Sequence, residues 1–297
     1  EIYEGRGAWC PRRDGLMEYP EPTPIDLGPG ALIEEKKSRR ILSAYQMQLL
    51  NRANRERMRR KVEATTLYDP LPAQLAFHSS QAPERLLRGS NRGGKTLPAA
   101  MEVAWIVTNR HPHINYPKSG RVFAVGKSEE HIGNVMWNKL SARQPKLKYV
   151  KDKETGLFRP HRPWLKGEPE GTPMGPLIPE RLIKKISWKD KGLGVPSRVQ
   201  LKTGWDIFFF AGGGSPPLGS DIDFCWFDEE IPLKEWYTEI SARLLDRAGR
   251  FIWSATPQAG GQALWDLHLR SVEEKGDKEP LVEEYGIFLD DNPYISE

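Results

Sequence analysis

The stretch LLRGSNRGGKTLPAA, Leu86 to Ala100, decides the reading of the chain. Its centre, GSNRGGKT from Gly89 to Thr96, fits the G-x-x-x-x-G-K-[ST] pattern of a loop that wraps nucleotide phosphates. A chance match in a chain this long has odds on the order of one in a hundred. The flanks add to it: Arg85 to Arg88 reads as a strand, and a helix follows from Thr96, with Pro98 in the first turn where a missing N–H does no harm. Strand, glycine loop and helix aim backbone N–H groups and a helix N-terminus at phosphate. The loop residues Gly89, Ser90, Asn91, Arg92, Gly93 and Gly94 are therefore expected to wrap the phosphates. Lys95 would neutralise the β- and γ-phosphates, and Thr96 would ligate Mg²⁺ through its hydroxyl.

Downstream, short apolar runs alternate with helical segments: RVFAV (Arg121 to Val125), DIFFF (Asp206 to Phe210), DFCWF (Asp223 to Phe227) and RFIWS (Arg250 to Ser254). Continuous apolar runs suit strands covered on both faces, so the expectation is a mostly parallel sheet flanked by helices in one α/β domain over residues 65–297. DFCWFDEE places Asp228 at the carboxyl end of a buried strand, where open α/β sheets bind ligands. Asp228 is expected to hold Mg²⁺ through its water shell. Glu229 is expected to orient or deprotonate the water that attacks the γ-phosphate, and Glu230 could substitute for it on spacing alone. The run RFIWSATP ends in Ser254, Ala255 and Thr256. Were its strand to lie between the loop strand and the acid strand, those small hydroxyls would sit beneath the γ-phosphate. In LPAQLAFH (Leu71 to His78), Gln74 offers a donor and an acceptor that match the N6 and N7 edge of adenine, with Tyr68 or Phe77 available to stack on the base. An exposed glutamine at a helix start is the equal alternative.

Outside this core, residues 1–64 read as a proline- and glycine-rich arm followed by a basic helix. Between Glu34 and Ala64 there are ten Lys/Arg against four Glu. Ile41, Leu42, Tyr45, Leu49 and Leu50 recur at helical spacing, so one face could dock while the arginines stay solvated or meet a phosphate backbone. Residues 151–196 hold seven prolines among many charges and read as a surface excursion, with a short helix near Glu180 to Lys185. The net charge of +4 is too mild to imply nucleic acid by itself. No apolar run approaches the ~18 residues of a membrane span. The chain opens on Glu1 with no export signal behind it, and Cys10 and Cys225 are far apart. Reduced thiols, no membrane and a cytoplasmic location are the expectation.

Taken in order, these elements resemble the ATPase half of the large terminase subunit of tailed double-stranded DNA bacteriophages. GSNRGGKT with Arg92 inside it is similar to the arginine-bearing loop of that family. WFDEEIP (Trp226 to Pro232), WYTEISARLL and GRFIWSATPQAG are similar to its succession of acid motif, helix and ATP-x-x-G. PERLI (Pro179 to Ile183) and DDNPYI (Asp290 to Ile295) also fit, and the resemblance spans roughly Tyr68 to Ile295. It implies a P-loop NTPase of the ASCE type that binds ATP and Mg²⁺, with Ser254 to Thr256 coupling hydrolysis to movement of double-stranded DNA. It further implies a viral protein in the host cytoplasm, acting as a homo-oligomeric ring, a pentamer by resemblance and a monomer in isolation, with the portal protein and the small terminase subunit as partners.

Two departures from the family pattern stand out. Many members carry a trans-acting arginine just before the acid strand, but AGGGSPPLGS (Ala211 to Ser220) has none, which leaves Arg243, Arg247 or Arg92 as candidates. The family's nuclease needs clustered carboxylates holding two metals about 4 Å apart. The sequence ends at Glu297, and Asp290 with Asp291 make no such cluster, so the expectation is an ATPase piece without the nuclease domain. Two other readings compete with this one. A DEAD/DEAH-like helicase would need a second, similar domain, and no repeat of this pattern exists here; a nucleotide-gated structural subunit would not need Lys95, Asp228 and Glu229 intact.

Overall fold

The computed structural model describes residues 44–217, 219, 221–257 and 261–294. Ile41, Leu42, Leu218, Ser220 and Ile295 lie outside them. The chain divides into two compact units, Glu1–Arg52 and Ala53–Glu297. Helix α1 (Ala44–Arg60) carries Arg52, Arg55, Arg57, Arg59 and Arg60 of the basic run, while Lys36, Lys37, Arg39 and Arg40 lie outside the described residues; from Arg52 to Arg60 every side chain but half-buried Glu56 is exposed. Within that helix Tyr45, Leu49 and Leu50 are exposed as well. Within the larger unit Glu63 is tied by Arg110 (2.5 Å) and Arg181, and Ala64 is buried in the core.

That unit is built on an eight-stranded sheet. In chain order its elements are α2 (Ala64–Leu67), α3 (Pro72–Ser79), β1 (Glu84–Gly89), α4 (Thr96–Val107), β2 (Gly120–Gly126), α5 (Glu129–His131), a π-helical turn (Ile132–Trp137) and α6 (Asn138–Ser141). There follow β3 (Gln144–Lys151), β4 (Phe158–Pro160), β5 (Thr172–Met174), β6 (Ile183–Asp190), β7 (Val195–Leu201), β8 (Trp205–Ala211) and β9 (Phe224–Asp228). The chain continues with α7 (Lys234–Leu245), β10 (Arg250–Ala255), α8 (Gln262–Glu273) and β11 (Val282–Ile287). The strand order is β11-β1-β10-β9-β2-β8-β7-β6. Neighbours from β11 to β8 are parallel, and β7 and β6 add antiparallel to the far edge. Placing β10 between the loop strand β1 and the acid strand β9 is the arrangement of an ASCE-type P-loop fold.

The apolar runs are continuous because successive side chains feed two cores. Along β9, Phe224 and Trp226 pack with Val122, Ala124, Leu87 and α4 on one face, while Cys225 and Phe227 pack with Leu86, Phe251, Trp253 and α7 on the other. Helix α4 is buried all round from Pro98 to Val107, so it carries no solvated stripe.

Its one charge, Glu102, is fully buried against Arg85 (2.6 Å), His78 (2.6 Å) and His111 (3.1 Å). Removing that carboxylate strands a buried guanidinium. Glu102→Ala is expected to destabilise the chain by about 3–5 kcal/mol in urea unfolding, whereas a loss below about 1 kcal/mol would show that Arg85 finds water instead.

The region 151–196 is more ordered than its prolines suggest. Its strands β4 and β5 pair antiparallel on either side of β3, which precedes it, and Leu177 and Ile178 return to the main core. The helix expected near Glu180 to Lys185 is a single 3₁₀ turn, Glu180–Leu182, and Ile183 onward is strand β6. Lys184 and Lys185 are both exposed on this edge strand, whose register with β7 shifts between Ile183 and Lys185, so both charges reach solvent without a helix. Among the described residues no helix is long and apolar enough to cross a membrane.

Candidate active site

At the carboxyl ends of the parallel strands the loop, the acid strand and β10 meet. The registers pair Leu87 with Ser254, and Ser254 with Asp228, so the three segments end level with one another. Gly89 closes β1 where a Cβ would come within 1.7 Å of the Ile287 carbonyl oxygen, so the backbone there has no room for a side chain. Arg92 and Gly94 turn the loop through positive φ, at 63° and 96°. Lys95 then takes up helical dihedrals and leads into α4.

Lys95 Nζ donates to the Ser90 carbonyl at 2.8 Å and to Thr256 Oγ1 at 2.7 Å, and Thr256 Oγ1 donates to Asn91 Oδ1 at 3.1 Å. The ammonium thus ties the loop to the end of β10. Burial lowers its pKa, and the nearby Glu229 and Asp228 oppose that shift. The Ser90 hydroxyl is buried with no hydrogen-bond partner among the described residues. Such an orphan inside a glycine loop suits a ligand oxygen.

Asp228 is fully buried. Its Oδ1 accepts from Ser254 Oγ at 2.5 Å, and its Oδ2 lies 2.8 Å from His131 Nε2. Each carboxylate oxygen keeps a second lone pair. Together with the Thr96 hydroxyl this is a hard-oxygen donor set that fits Mg²⁺, an ion that keeps several waters and binds through one or two protein oxygens plus phosphate. No group of three or more His, Cys, Asp or Glu that could hold a metal converges among the described residues.

Glu229 has φ 65°, the left-handed region that a non-glycine residue seldom enters. The strain is held from three sides: its N–H donates to the Ser254 carbonyl (2.7 Å), its carbonyl accepts from Trp253 Nε1 (2.8 Å), and its Oε2 accepts from Thr256 N (3.2 Å). This twist turns the Glu229 carboxylate toward Thr256. Glu230 instead lines a different cavity of about 300 Å³ with Arg88, Trp265 and His268, so of the two adjacent acids it is Glu229 that joins the loop.

Gln74 is buried at the first turn of α3, where its Oε1 accepts from Leu71 N (2.9 Å) and Tyr68 Oη (3.1 Å). It is not the exposed helix-start residue of the alternative reading. With Tyr68, Arg92, Gly94, Leu97 and Lys139 it lines a cavity of about 270 Å³ beside the loop. Phe77 is fully buried, with the Arg85 guanidinium 4.9 Å from its ring centre, so it is excluded as a base-stacking residue. Tyr68 is half-buried and lines the cavity.

The three candidate arginines separate. Arg92 is exposed on the loop at the cavity rim. Arg243, in the last turn of α7, donates to Glu239 (2.9 Å), and Arg247 pairs with Asp221 (2.8 Å) and Asp223 (3.5 Å), which precede β9. Helix α7 returns the chain from the carboxyl to the amino ends of the strands. Arg243 and Arg247 therefore stand at the end of the sheet remote from this chain's own loop.

Three residues to which the sequence reading gave no role lie beside the site. His131 arrives because β2 lies beside β9, with Gly126 level with Asp228, and α5 starts just after it on a Ser128 cap. Lys139 follows from α6. Asn292, within DDNPYI, donates to the carbonyls of Arg92 (3.4 Å) and Gly93 (3.5 Å), so its side chain reaches the loop.

The sheet order, the loop and the acid at the end of β9 define a P-loop nucleotide-binding fold. No known family profile matches the chain, and no curated protein matches it. Among solved structures it is similar to the large terminase ATPase domain of Thermus phage P74-26, at 16% identity over 74% of this chain and 81% of that one, with a TM-score of 0.41. It is also similar to the large terminase of bacteriophage HK97 (13% identity, 78% of this chain, 43% of that one, TM-score 0.47). The large terminase of a thermophilic bacteriophage, solved in complex with ADP, matches at 17% identity over 77% of this chain and 48% of that one, with a TM-score of 0.45. The chain spans under half the length of the latter two proteins.

Proposed function

We propose that this chain is an ATP-hydrolysing motor domain that moves double-stranded DNA into a viral procapsid, the role of a terminase large subunit. The observation that carries the reading is the convergence of Lys95, Thr256, Asp228 and Glu229 at one end of the sheet, with β10 between the loop and acid strands. The order of motifs along the chain supports the terminase assignment over a helicase, because the acid strand, α7 and β10 follow one another as WFDEEIP, WYTEISARLL and IWSATPQAG.

In this reading the loop N–H groups and Lys95 bind the β- and γ-phosphates, and Gln74 with Tyr68 receives the adenine. Mg²⁺ would be held through the Thr96 hydroxyl and, by way of water, the Asp228 carboxylate, and would supply charge neutralisation at the phosphates. Glu229 orients the attacking water and accepts its proton. Thr256, bound to Lys95 and to the Glu229 carboxylate through its N–H, links the state of the phosphates to β10. The partners are double-stranded DNA, the portal protein, the small subunit and further copies of the chain in a ring.

In this reading Arg243 and Arg247, far from their own loop, serve the site of a neighbouring copy, with Arg92 left on the chain's own loop. Hydrolysis per chain is therefore expected to be slow when dilute and to rise with protein concentration, read as phosphate release in the presence of duplex DNA. Fast turnover independent of concentration would refute the ring, and unstimulated turnover alongside strand displacement would favour a helicase.

A further inference from the structure

Behind the base side of the nucleotide cavity runs a buried chain of polar groups that the reaction above does not use. Glu102 Oε2 accepts from Arg85 Nη2 (2.6 Å) and lies 3.1 Å from His111 Nε2. His111 Nδ1 accepts the backbone N–H groups of His113 (3.2 Å) and Ile114 (3.0 Å), so the His111 proton is on Nε2. Burial alone would raise the Glu102 carboxyl, but Arg85, His111 and His78 hold it well below the usual carboxylate range. An ionised carboxylate only accepts. His78 Nδ1, 2.6 Å from Glu102 Oε1, therefore carries a proton and donates. Burial also lowers the His78 pKa against the pull of Glu102, which leaves a neutral ring whose Nε2 offers a lone pair.

That lone pair lies 3.3 Å from Tyr68 Oη, and Tyr68 Oη lies 3.1 Å from Gln74 Oε1. The Leu71 N–H, 2.9 Å from the same Gln74 atom, identifies it as the amide oxygen, since a backbone donor requires an acceptor. One hydroxyl proton thus faces two acceptors and serves one at a time. While Tyr68 donates to Gln74, both lone pairs of the amide oxygen are taken and only N–H donors remain for a base, a face suited to the paired acceptors O6 and N7 of guanine. When Tyr68 donates to His78 instead, the amide presents an acceptor beside a donor, which matches N6–H and N7 of adenine.

We propose that His78 is the positioning residue that sets base specificity: by accepting the Tyr68 hydroxyl it frees the Gln74 oxygen for the adenine amino group. The proposal rests on Gln74 being the base contact. Rotation of the Tyr68 O–H breaks one hydrogen bond and makes another, and no charge moves.

The test is calorimetric titration of ADP and GDP into the full 297-residue chain and its variants. His78→Asn keeps an N–H donor for Glu102 in the place of Nδ1 and deletes the Nε2 acceptor. Its preference for ADP over GDP should fall about tenfold, the scale of one hydrogen bond. Adding Tyr68→Phe should restore the preference to within about threefold, because no proton then competes for Gln74; a packing defect at His78 would not be repaired this way. An unchanged preference in His78→Asn, or no recovery in the double variant, overturns the proposal. Gln74→Ala separates the two readings: if it loses the preference while His78→Asn keeps it, the base site stands and the relay falls. If Gln74→Ala keeps the preference, both fall. Should His78→Asn fail to fold, the ¹⁵N resonance of His78 Nε2 in the unsubstituted chain decides, moving with ADP and not GDP; equal positions in both overturn the relay.

Discussion

Lys95→Ala is expected to weaken ATP binding by on the order of 100-fold, about 2.7 kcal/mol, because it deletes the one loop cation aimed between the Ser90 carbonyl and Thr256. Hydrogen bonds to a charged group are worth about 1.5–3 kcal/mol, so the loss of a single phosphate contact suffices. The effect should fall on affinity, measured by titration of ATP, and hydrolysis should disappear with it. The same substitution also unties the loop from β10. A thermal melt of the nucleotide-free variant distinguishes the two effects: a midpoint close to the parent's places the loss in phosphate binding. Affinity within about threefold of the parent would remove Lys95 from the site.

Glu229→Gln is expected to behave in the opposite way, keeping ATP affinity within about threefold while turnover falls by about 10²–10⁴, the range ascribed to a positioned general base. The amide keeps the shape and can still accept from Thr256 N, yet it takes no proton from water. Single-turnover hydrolysis compared with equilibrium binding measures both halves of the claim. A further variant uses the backbone: at φ 65° a glutamate is strained and glycine is not. Glu229→Gly should therefore hold or raise stability by roughly 1 kcal/mol while abolishing turnover, which would mark the strain as retained for function. Turnover near the parent level in Glu229→Gln would shift the base role elsewhere.

The five strands read from apolar runs are all present, each within a residue or two of its expected bounds, because a strand buried on both faces needs an uninterrupted apolar sequence. The strands without such a signature are of another kind. β11 carries Glu283 and Glu284, and β6 carries Lys184, Lys185 and Lys189. Edge strands keep charges, so their sequences lack the signal that a two-sided core imposes. Phe77 differs from its expected place for a related reason: period and composition put it on a helix, but only packing shows which face the core takes.

The loop and the acid were legible as pieces, since Lys95, Asp228 and Glu229 belong to short motifs whose spacing is local. Their joint site was an expectation conditional on strand order, and the particular contacts within it were not legible. That Ser254 sits beside Asp228, and Thr256 beside Lys95, follows from β10 entering between two strands that are distant from each other in the chain. His131 illustrates the limit well: nothing in GKSEEH names it, and it reaches Asp228 because β2 is the other neighbour of β9.

What the sequence alone determined is the inventory: a phosphate loop, an acid pair, a hydroxyl-bearing strand end and a glutamine, each encoded within a few consecutive residues by backbone and side-chain requirements that act locally. The tertiary structure decided which of them share a site. It set Glu229 beside Thr256 and Glu230 on a separate cavity, sent Arg243 and Arg247 to the far end of the sheet, and linked Gln74 to Tyr68, His78 and Glu102. Those choices depend on strand order and helix direction, which are set by burying two faces of one sheet at once, a condition that no short stretch of sequence can satisfy by itself.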